Sequence, residues 1–160
     1  EVGCVGAKLL YPDGTIQHAG VILGLGGYAA HSHRGLSGNK SGYFGRAQVR
    51  QQLSAVTGAC LLIKREVFNE VGGMDEAFQV AYNDVDFCLR VQALGYQNIY
   101  TPFAELIHHE SKTRGEDTSA EKIKRFDQEK LLLADRWGVL LKNDPFYNIN
   151  LTRAREDFSI

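Results

Sequence analysis

The stretch Asn83-Asp84-Val85-Asp86-Phe87-Cys88-Leu89-Arg90-Val91-Gln92-Ala93-Leu94-Gly95 decides how the chain folds around it. Phe87, Val91 and Leu94 recur at i, i+4 and i+7, the spacing that lines one face of an α-helix. Asp86 and Arg90 stand four apart, where opposite charges meet on a helix surface, and Gly95 supplies a stop. A helix is expected over residues 84–94. Asn83 and Asp84 open it, where free backbone N–H groups and the helix dipole favour negative charge.

Upstream, Val56-Thr57-Gly58-Ala59-Cys60-Leu61-Leu62-Ile63-Lys64 is an apolar run suited to a buried strand, followed by a short helix over residues 65–71. Gly72-Gly73 closes that helix, because glycine takes the left-handed cap without steric cost. The chain opens on an apolar strand from Val2, turns at Tyr11-Pro12-Asp13-Gly14-Thr15, and returns over residues 16–23, which reads as a β-hairpin. Residues 24–52, rich in Gly, Ser, His and Arg, form a long loop whose Arg34, Arg46 and Arg50 are either anion contacts or solvated charges. Downstream, residues 96–100 and 104–108 read as two short strands around Thr101-Pro102. Thr118-Ser119-Ala120-Glu121 has the capping-box pattern, and Ile123, Phe126, Leu133 and Trp137 stripe the long helix it opens. Asp144-Pro145-Phe146-Tyr147-Asn148 breaks the chain again.

With 160 residues, 44% of them hydrophobic and 23% charged, there is material for one core and one domain, residues 1–160. A net charge of -1 provides no global attraction to nucleic acid. Cys4, Cys60 and Cys88 are odd in number and far apart, which fits reduced thiols rather than a disulfide framework or a metal knuckle. The apolar runs are too short for a membrane span, and no signal peptide is visible.

The residues that carry chemistry crowd between Ser54 and Gly115. A carboxylate at the first turn of a helix, such as Asp84, stays ionised and can take a proton from a sugar hydroxyl; the same residue type in the same place also serves as a plain helix cap. His108 and His109 end a strand, so only one of them faces a given site. One imidazole can complete the shell of a divalent ion held mainly by oxygens, but two adjacent histidines make no closed metal site, and hydrogen-bonded structural histidines are the other reading. A two-metal hydrolase using Asp84, Asp86, His108 and His109 would need more carboxylates than the chain brings together.

The runs Thr57-Gly58-Ala59-Cys60-Leu61-Leu62-Ile63-Lys64-Arg65, Val71-Gly72-Gly73-Met74-Asp75-Glu76-Ala77-Phe78, Asn83-Asp84-Val85-Asp86-Phe87-Cys88-Leu89-Arg90, Gly95-Tyr96 and Pro102-Phe103-Ala104-Glu105-Leu106-Ile107-His108-His109 resemble, in order and spacing, family 2 glycosyltransferases of the GT-A fold. Tyr11-Pro12-Asp13-Gly14-Thr15-Ile16-Gln17-His18-Ala19-Gly20 and Asp144-Pro145-Phe146-Tyr147-Asn148 are similar to bacterial members that build surface polysaccharides, rhamnosyltransferase-like and O-antigen enzymes among them.

The resemblance implies an α/β fold, the C-terminal part of a GT-A domain with a mixed sheet and flanking helices, whose N-terminal nucleotide-binding half lies outside this chain. It implies an inverting transfer from a nucleotide-diphosphate sugar to a saccharide or lipid-linked acceptor, with Mn²⁺ or Mg²⁺ as cofactor. Asp84 falls on the family's general base, with Asn83 replacing the usual first acid. His108 falls on the metal ligand, Arg114 in Ser111-Lys112-Thr113-Arg114-Gly115 on a diphosphate contact, and Gly72, Gly73 and Asp75 on the loop shaping the acceptor side. Asp84-Val85-Asp86 has the letters of the family's metal-binding Asp-x-Asp, but its place after Gly72-Gly73-Met74-Asp75-Glu76 and at a helix start matches the base motif. The expected location is cytoplasmic, compatible with peripheral association at the inner membrane face, and an unpaired sheet edge would favour self-association. The competing expectation is a non-catalytic glycan- or protein-binding module, left open by Asn83.

Overall fold

The computed structural model describes residues 1–109 and 119–160. The strands are β1 (Val2–Leu10), β2 (Ile16–His18), β3 (Val21–Leu23), β4 (Ala29–His31), β5 (Gln51–Leu53), β6 (Leu61–Ile63) and β7 (Gln97–Ile107), and the helices α1 (Arg65–Glu70), α2 (Asn83–Ala93) and α3 (Ala120–Lys142). Among the described residues, five strands form one mixed sheet in the order β2-β1-β7-β5, with β6 also on β1. β1 runs parallel to β7; its other edge pairs antiparallel with β6 through Cys4, Val5 and Gly6 and with β2 through Leu9 and Leu10.

As the centre of the sheet, β1 is covered on both faces, so its burial does not alternate. Glycine makes that cover possible. A Cβ at Gly3 would run into Val91 of α2, and one at Gly6 into Val56. Helix α2 buries Phe87 and Val91 of the expected stripe, together with Cys88, but ends at Ala93, so that Leu94 caps it and is exposed; Gly95, at φ 90°, follows as the stop. Helix α1 stops at Gly72 and Gly73, both in the left-handed region, as expected.

Five expectations change in detail. The return strand of the hairpin ends at His18; Gly20, at φ 101°, redirects the chain so that residues 21–23 pair with β4 in a separate two-stranded sheet. Residues 24–52 are less irregular than composition indicates, carrying β4, β5 and 3-10 turns at Leu25–Gly27 and Tyr43–Gln48. The run from Val56 is not one buried strand: it makes a 3-10 turn at Gly58–Cys60 and then the short β6, whose Leu62 is 71% exposed. Residues 97–107 form one strand rather than two, because β7 absorbs Pro102, Phe103 and Ala104 as a bulge between the pairs Ala7↔Thr101 and Lys8↔Glu105. Proline has no ladder N–H to lose there. The cap of α3 is Ser119, whose Oγ accepts from Lys122 N at 3.3 Å, one residue after the expected start.

Long-range polar contacts close the domain. Asp144 is buried and accepts from Leu23 N at 2.7 Å, Ser54 Oγ at 2.8 Å and Phe146 N at 2.9 Å, tying the break after α3 to β3 and to the residue that follows β5. Arg34 pairs with Glu156, Arg46 packs over Phe158 and Arg50 over Phe103.

His33 joins the long loop to the tail: its Nε2 accepts from Tyr43 N at 3.2 Å and its ring lies 4.5 Å from that of Phe158. Burial, reinforced by nearby Arg46, lowers its pKa to about 4. The unfolded chain therefore binds this proton first as pH falls below 6.5. His33 should thus destabilise the fold progressively on acidification, by about 2 kcal/mol between pH 6.5 and 5. Burial holds fully enclosed His18 well below the ordinary range too, so it acts in the same direction. Urea unfolding at pH 7 and 5 checks this: His33→Phe should flatten the slope, and an unchanged slope would rule His33 out as its source.

Candidate active site

Asp84 is held from two directions. Its Oδ1 accepts from Val85 N at 2.8 Å, within the first turn of α2, and its Oδ2 accepts from Gly58 N, also at 2.8 Å, in the 3-10 turn before β6. Gly58 allows this approach, since a Cβ there would lie 3.2 Å from Asp84 Cβ. Asn83 Oδ1 accepts from Asp84 N at 2.7 Å, so the amide that replaces an acid takes a capping bond and needs no charge for it. The Asp84 side chain is half-buried. Each oxygen spends one lone pair on a backbone N–H and keeps another.

The residue before the pair, Tyr82, sits at φ 59°, a conformation uncommon for a side chain of this size. Two sets of contacts over-determine it. Its ring stacks on Phe126 of α3 at 5.9 Å and meets Tyr28 at 6.2 Å. Glu129, buried on α3, accepts from Val80 N at 3.0 Å and Ala81 N at 2.8 Å. Helix α3 thereby fixes the approach to Asp84.

Asp86, two residues on, has a different environment. It is completely buried; Oδ2 accepts from Arg90 Nε at 2.8 Å, and Oδ1 from an Arg136 guanidinium nitrogen at 2.8 Å and Trp137 Nε1 at 2.9 Å. Arg136 also donates to Asp75 Oδ2 at 2.8 Å. A backbone bond from Ala77, and then Arg136, hold the Asp75 carboxyl below its usual range. Asp75 thus joins the loop after α1 to α3, while Gly73 donates its N–H to Phe68 O at 2.9 Å and closes α1.

His108 follows β7. Its N–H donates to Leu10 O at 2.9 Å, and its Nδ1 lies 2.8 Å and 3.0 Å from the side-chain nitrogen and oxygen of Gln17. His109 is exposed, but strand alternation does not account for it: β7 ends at Ile107, before both histidines, and residues 103–107 are all exposed. No hydrogen bond or ion pair joins Asp84 to His108 among the described residues. They are connected through β2, because His18, next to Gln17, accepts through Nε2 from Thr57 N at 3.3 Å, beside the amide that holds Asp84. Arg114 lies outside the described residues.

Gln17, His18, Glu129 and Arg136 are the contributors that the sequence did not single out. For Gln17 and His18 a signal existed, two polar residues inside an otherwise apolar strand, and both are buried. Among the described residues no three His, Cys, Asp or Glu side chains converge as a metal cluster. A cleft of about 530 Å³, lined by His33, Arg34, Tyr43, Arg155 and Glu156 among others, includes Arg34 but none of Asp84, His108, Gly73 and Asp75. Among the described residues no helix is long and apolar enough to cross a membrane.

The sequence profile described as glycosyl transferase family group 2 matches residues 14–139. A protein of Sinorhizobium fredii (strain NBRC 101917 / NGR234), "Uncharacterized protein y4gI", is 54% identical over 158 residues, 98% of this chain and 17% of its own length. "O-antigen biosynthesis protein RfbC" of Myxococcus xanthus is 42% identical over 98% of this chain and 12% of its own length. "N-acetylglucosaminyl-diphospho-decaprenol L-rhamnosyltransferase" of Mycobacterium tuberculosis (strain CDC 1551 / Oshkosh) is 35% identical over 81 residues, 51% of this chain and 26% of its own length. This chain therefore spans under a fifth of the first two relatives. No solved structure matches it. The mixed sheet with flanking helices is consistent with a GT-A type domain, and with the profile covering most of its length, the chain belongs to glycosyl transferase family group 2.

Proposed function

We propose that this chain is the catalytic-base and acceptor-side part of an inverting glycosyltransferase, which moves a sugar from a nucleotide-diphosphate donor to a glycan or lipid-linked acceptor in bacterial surface polysaccharide synthesis. One observation carries the reading: the half-buried Asp84 carboxylate at the first turn of α2, fixed by the amides of Gly58 and Val85 with lone pairs to spare. In the reaction, the acceptor oxygen attacks the anomeric carbon while its proton passes to Asp84, and the bond from that carbon to the diphosphate oxygen breaks on the opposite face. One displacement inverts the centre, with no second carboxylate needed as a nucleophile.

His108 would hold a divalent cation through the ring nitrogen that Gln17 does not engage, and the cation would supply charge to stabilise the departing diphosphate. Asp75 and Gly73 shape the acceptor side by fixing the loop after α1, and Arg114 contacts the donor diphosphate. The likeness to a rhamnosyltransferase and to an O-antigen biosynthesis protein supports a polysaccharide role at the cytoplasmic face of the membrane. The donor site is completed by an N-terminal nucleotide-binding half outside these residues.

The reading is tested by following nucleotide release and sugar transfer from UDP-, GDP- and dTDP-sugars with Mn²⁺, in the isolated chain and in longer forms of the polypeptide. Transfer should need the longer form; transfer by the 160-residue chain alone would show that the donor site is complete within it. In an active form, His108→Ala should raise the Mn²⁺ concentration for half-maximal rate by about 10-fold or more, whereas His109→Ala should leave it nearly unchanged. Equal effects would remove His108 as the ligand.

A further inference from the structure

Gln17 is 3% exposed, and its side-chain amide faces His108 Nδ1 edge-on, nitrogen at 2.8 Å and oxygen at 3.0 Å. Only one of these atoms makes the bond at a time, and the two choices impose opposite states on the ring. If the amide N–H donates, Nδ1 is bare and the ring proton sits on Nε2. If the amide oxygen accepts, Nδ1 carries the proton and Nε2 presents its lone pair. Only the second state leaves a nitrogen that can bind a cation.

The surroundings hold the ring for such a choice. The His108 main chain is anchored to Leu10 on β1, and Gln17 lies on β2, which pairs with the same end of β1 through Leu9 and Leu10. Ring and amide therefore flank the end of β1, the amide on β2 and the ring just after β7, at the carboxyl end of the parallel β1/β7 pair, the end at which open α/β sheets place ligands. Nε2 has no hydrogen bond among the described residues. We propose that Gln17 is the positioning residue that keeps His108 in the Nδ1–H tautomer, with Nε2 directed to a divalent cation. This rests on reading His108 as a metal ligand. The amide oxygen would do here what a backbone carbonyl or carboxylate does beside other metal-ligating histidines, accepting from the second ring N–H and so fixing tautomer and orientation.

The tautomer is read from ¹⁵N–¹H correlation spectra of the histidine rings in the isolated chain. The wild type should show His108 protonated at Nδ1. Gln17→Glu, whose carboxylate can only accept, should keep the proton there, and Gln17→Met, which removes the acceptor at similar volume, should release the ring to the Nε2–H form. Zn²⁺, a diamagnetic probe, should shift the His108 Nε2 resonance in the wild type, with an apparent affinity about 10- to 100-fold weaker in Gln17→Met, and His109 as the internal reference. An Nε2–H ring in the wild type, or an unchanged tautomer in Gln17→Met, overturns the proposal. Should Gln17→Met not fold, the wild-type tautomer and Gln17→Glu still decide it. An Nδ1–H ring that Zn²⁺ shifts neither in the isolated chain nor in a longer form of the polypeptide that transfers sugar would instead overturn His108 as a metal ligand, leaving Gln17's hold on the ring intact.

Discussion

Asp84→Asn is expected to lower turnover about 10²- to 10⁴-fold in a form of the protein that transfers sugar, the usual cost of losing a general base. The amide is nearly the same shape, so the start of α2 should persist, but only one of its two terminal atoms can accept. Facing Gly58 N and Val85 N, which now donate to Oδ2 and Oδ1, the new NH₂ group must meet one N–H donor unpaired, a destabilisation on the order of 1 kcal/mol. Stability should fall slightly and turnover steeply. The donor KM should stay within a few-fold, since the proton in question belongs to the acceptor. Steady-state kinetics with urea unfolding of the same variant separates the two effects, and near-normal turnover would take Asp84 out of the mechanism.

That separation depends on features only partly legible in the sequence. Local signals were reliable: the period through Phe87 and Val91, the stop at Gly95 and the Gly72-Gly73 cap need only neighbouring residues, and each lies where expected. Hydrophobicity alone misread residues 56–64, because an apolar run does not record that Gly58 N–H is bound to Asp84, 26 residues away, or that Thr57 Oγ1 caps the turn from within. It missed the continuity of β7 for a related reason: Pro102 reads as a break, yet a bulge against β1 accommodates it. The contacts that orient the candidate site are the least local. Gln17 and His108 are 91 residues apart, and Glu129 reaches Val80 and Ala81 across 49 and 48. No periodicity can announce such pairs; a polar residue in an apolar strand only marks where to look.

Asp86→Ala should have the largest effect on stability, about 3 kcal/mol of destabilisation. The carboxylate is fully buried and takes three donors, Arg90 Nε, an Arg136 guanidinium nitrogen and Trp137 Nε1, from two helices. Its removal leaves Trp137 Nε1 without an acceptor and two guanidinium groups with one partner fewer. The cost stays at the low end for a broken buried ion pair because the Arg90 and Arg136 side chains retain 21% and 32% exposure, and each keeps a second bond, to Val71 O and to Asp75. Trp137 is the only tryptophan, so its fluorescence reports urea unfolding directly. A double-mutant cycle with Arg136→Met should show coupling above about 0.5 kcal/mol. Destabilisation below about 1 kcal/mol would mean that the network is not what joins α2 to α3. Together, the two variants also decide what Asp84-Val85-Asp86 is. If it were a metal-binding Asp-x-Asp, either substitution would weaken cation binding, and neither would be expected to stand out in stability. If it is a base followed by a structural hub, Asp84→Asn removes turnover from a folded protein. Asp86→Ala then loosens the fold, and residual activity follows the folded fraction, because the group that takes the proton is still in place.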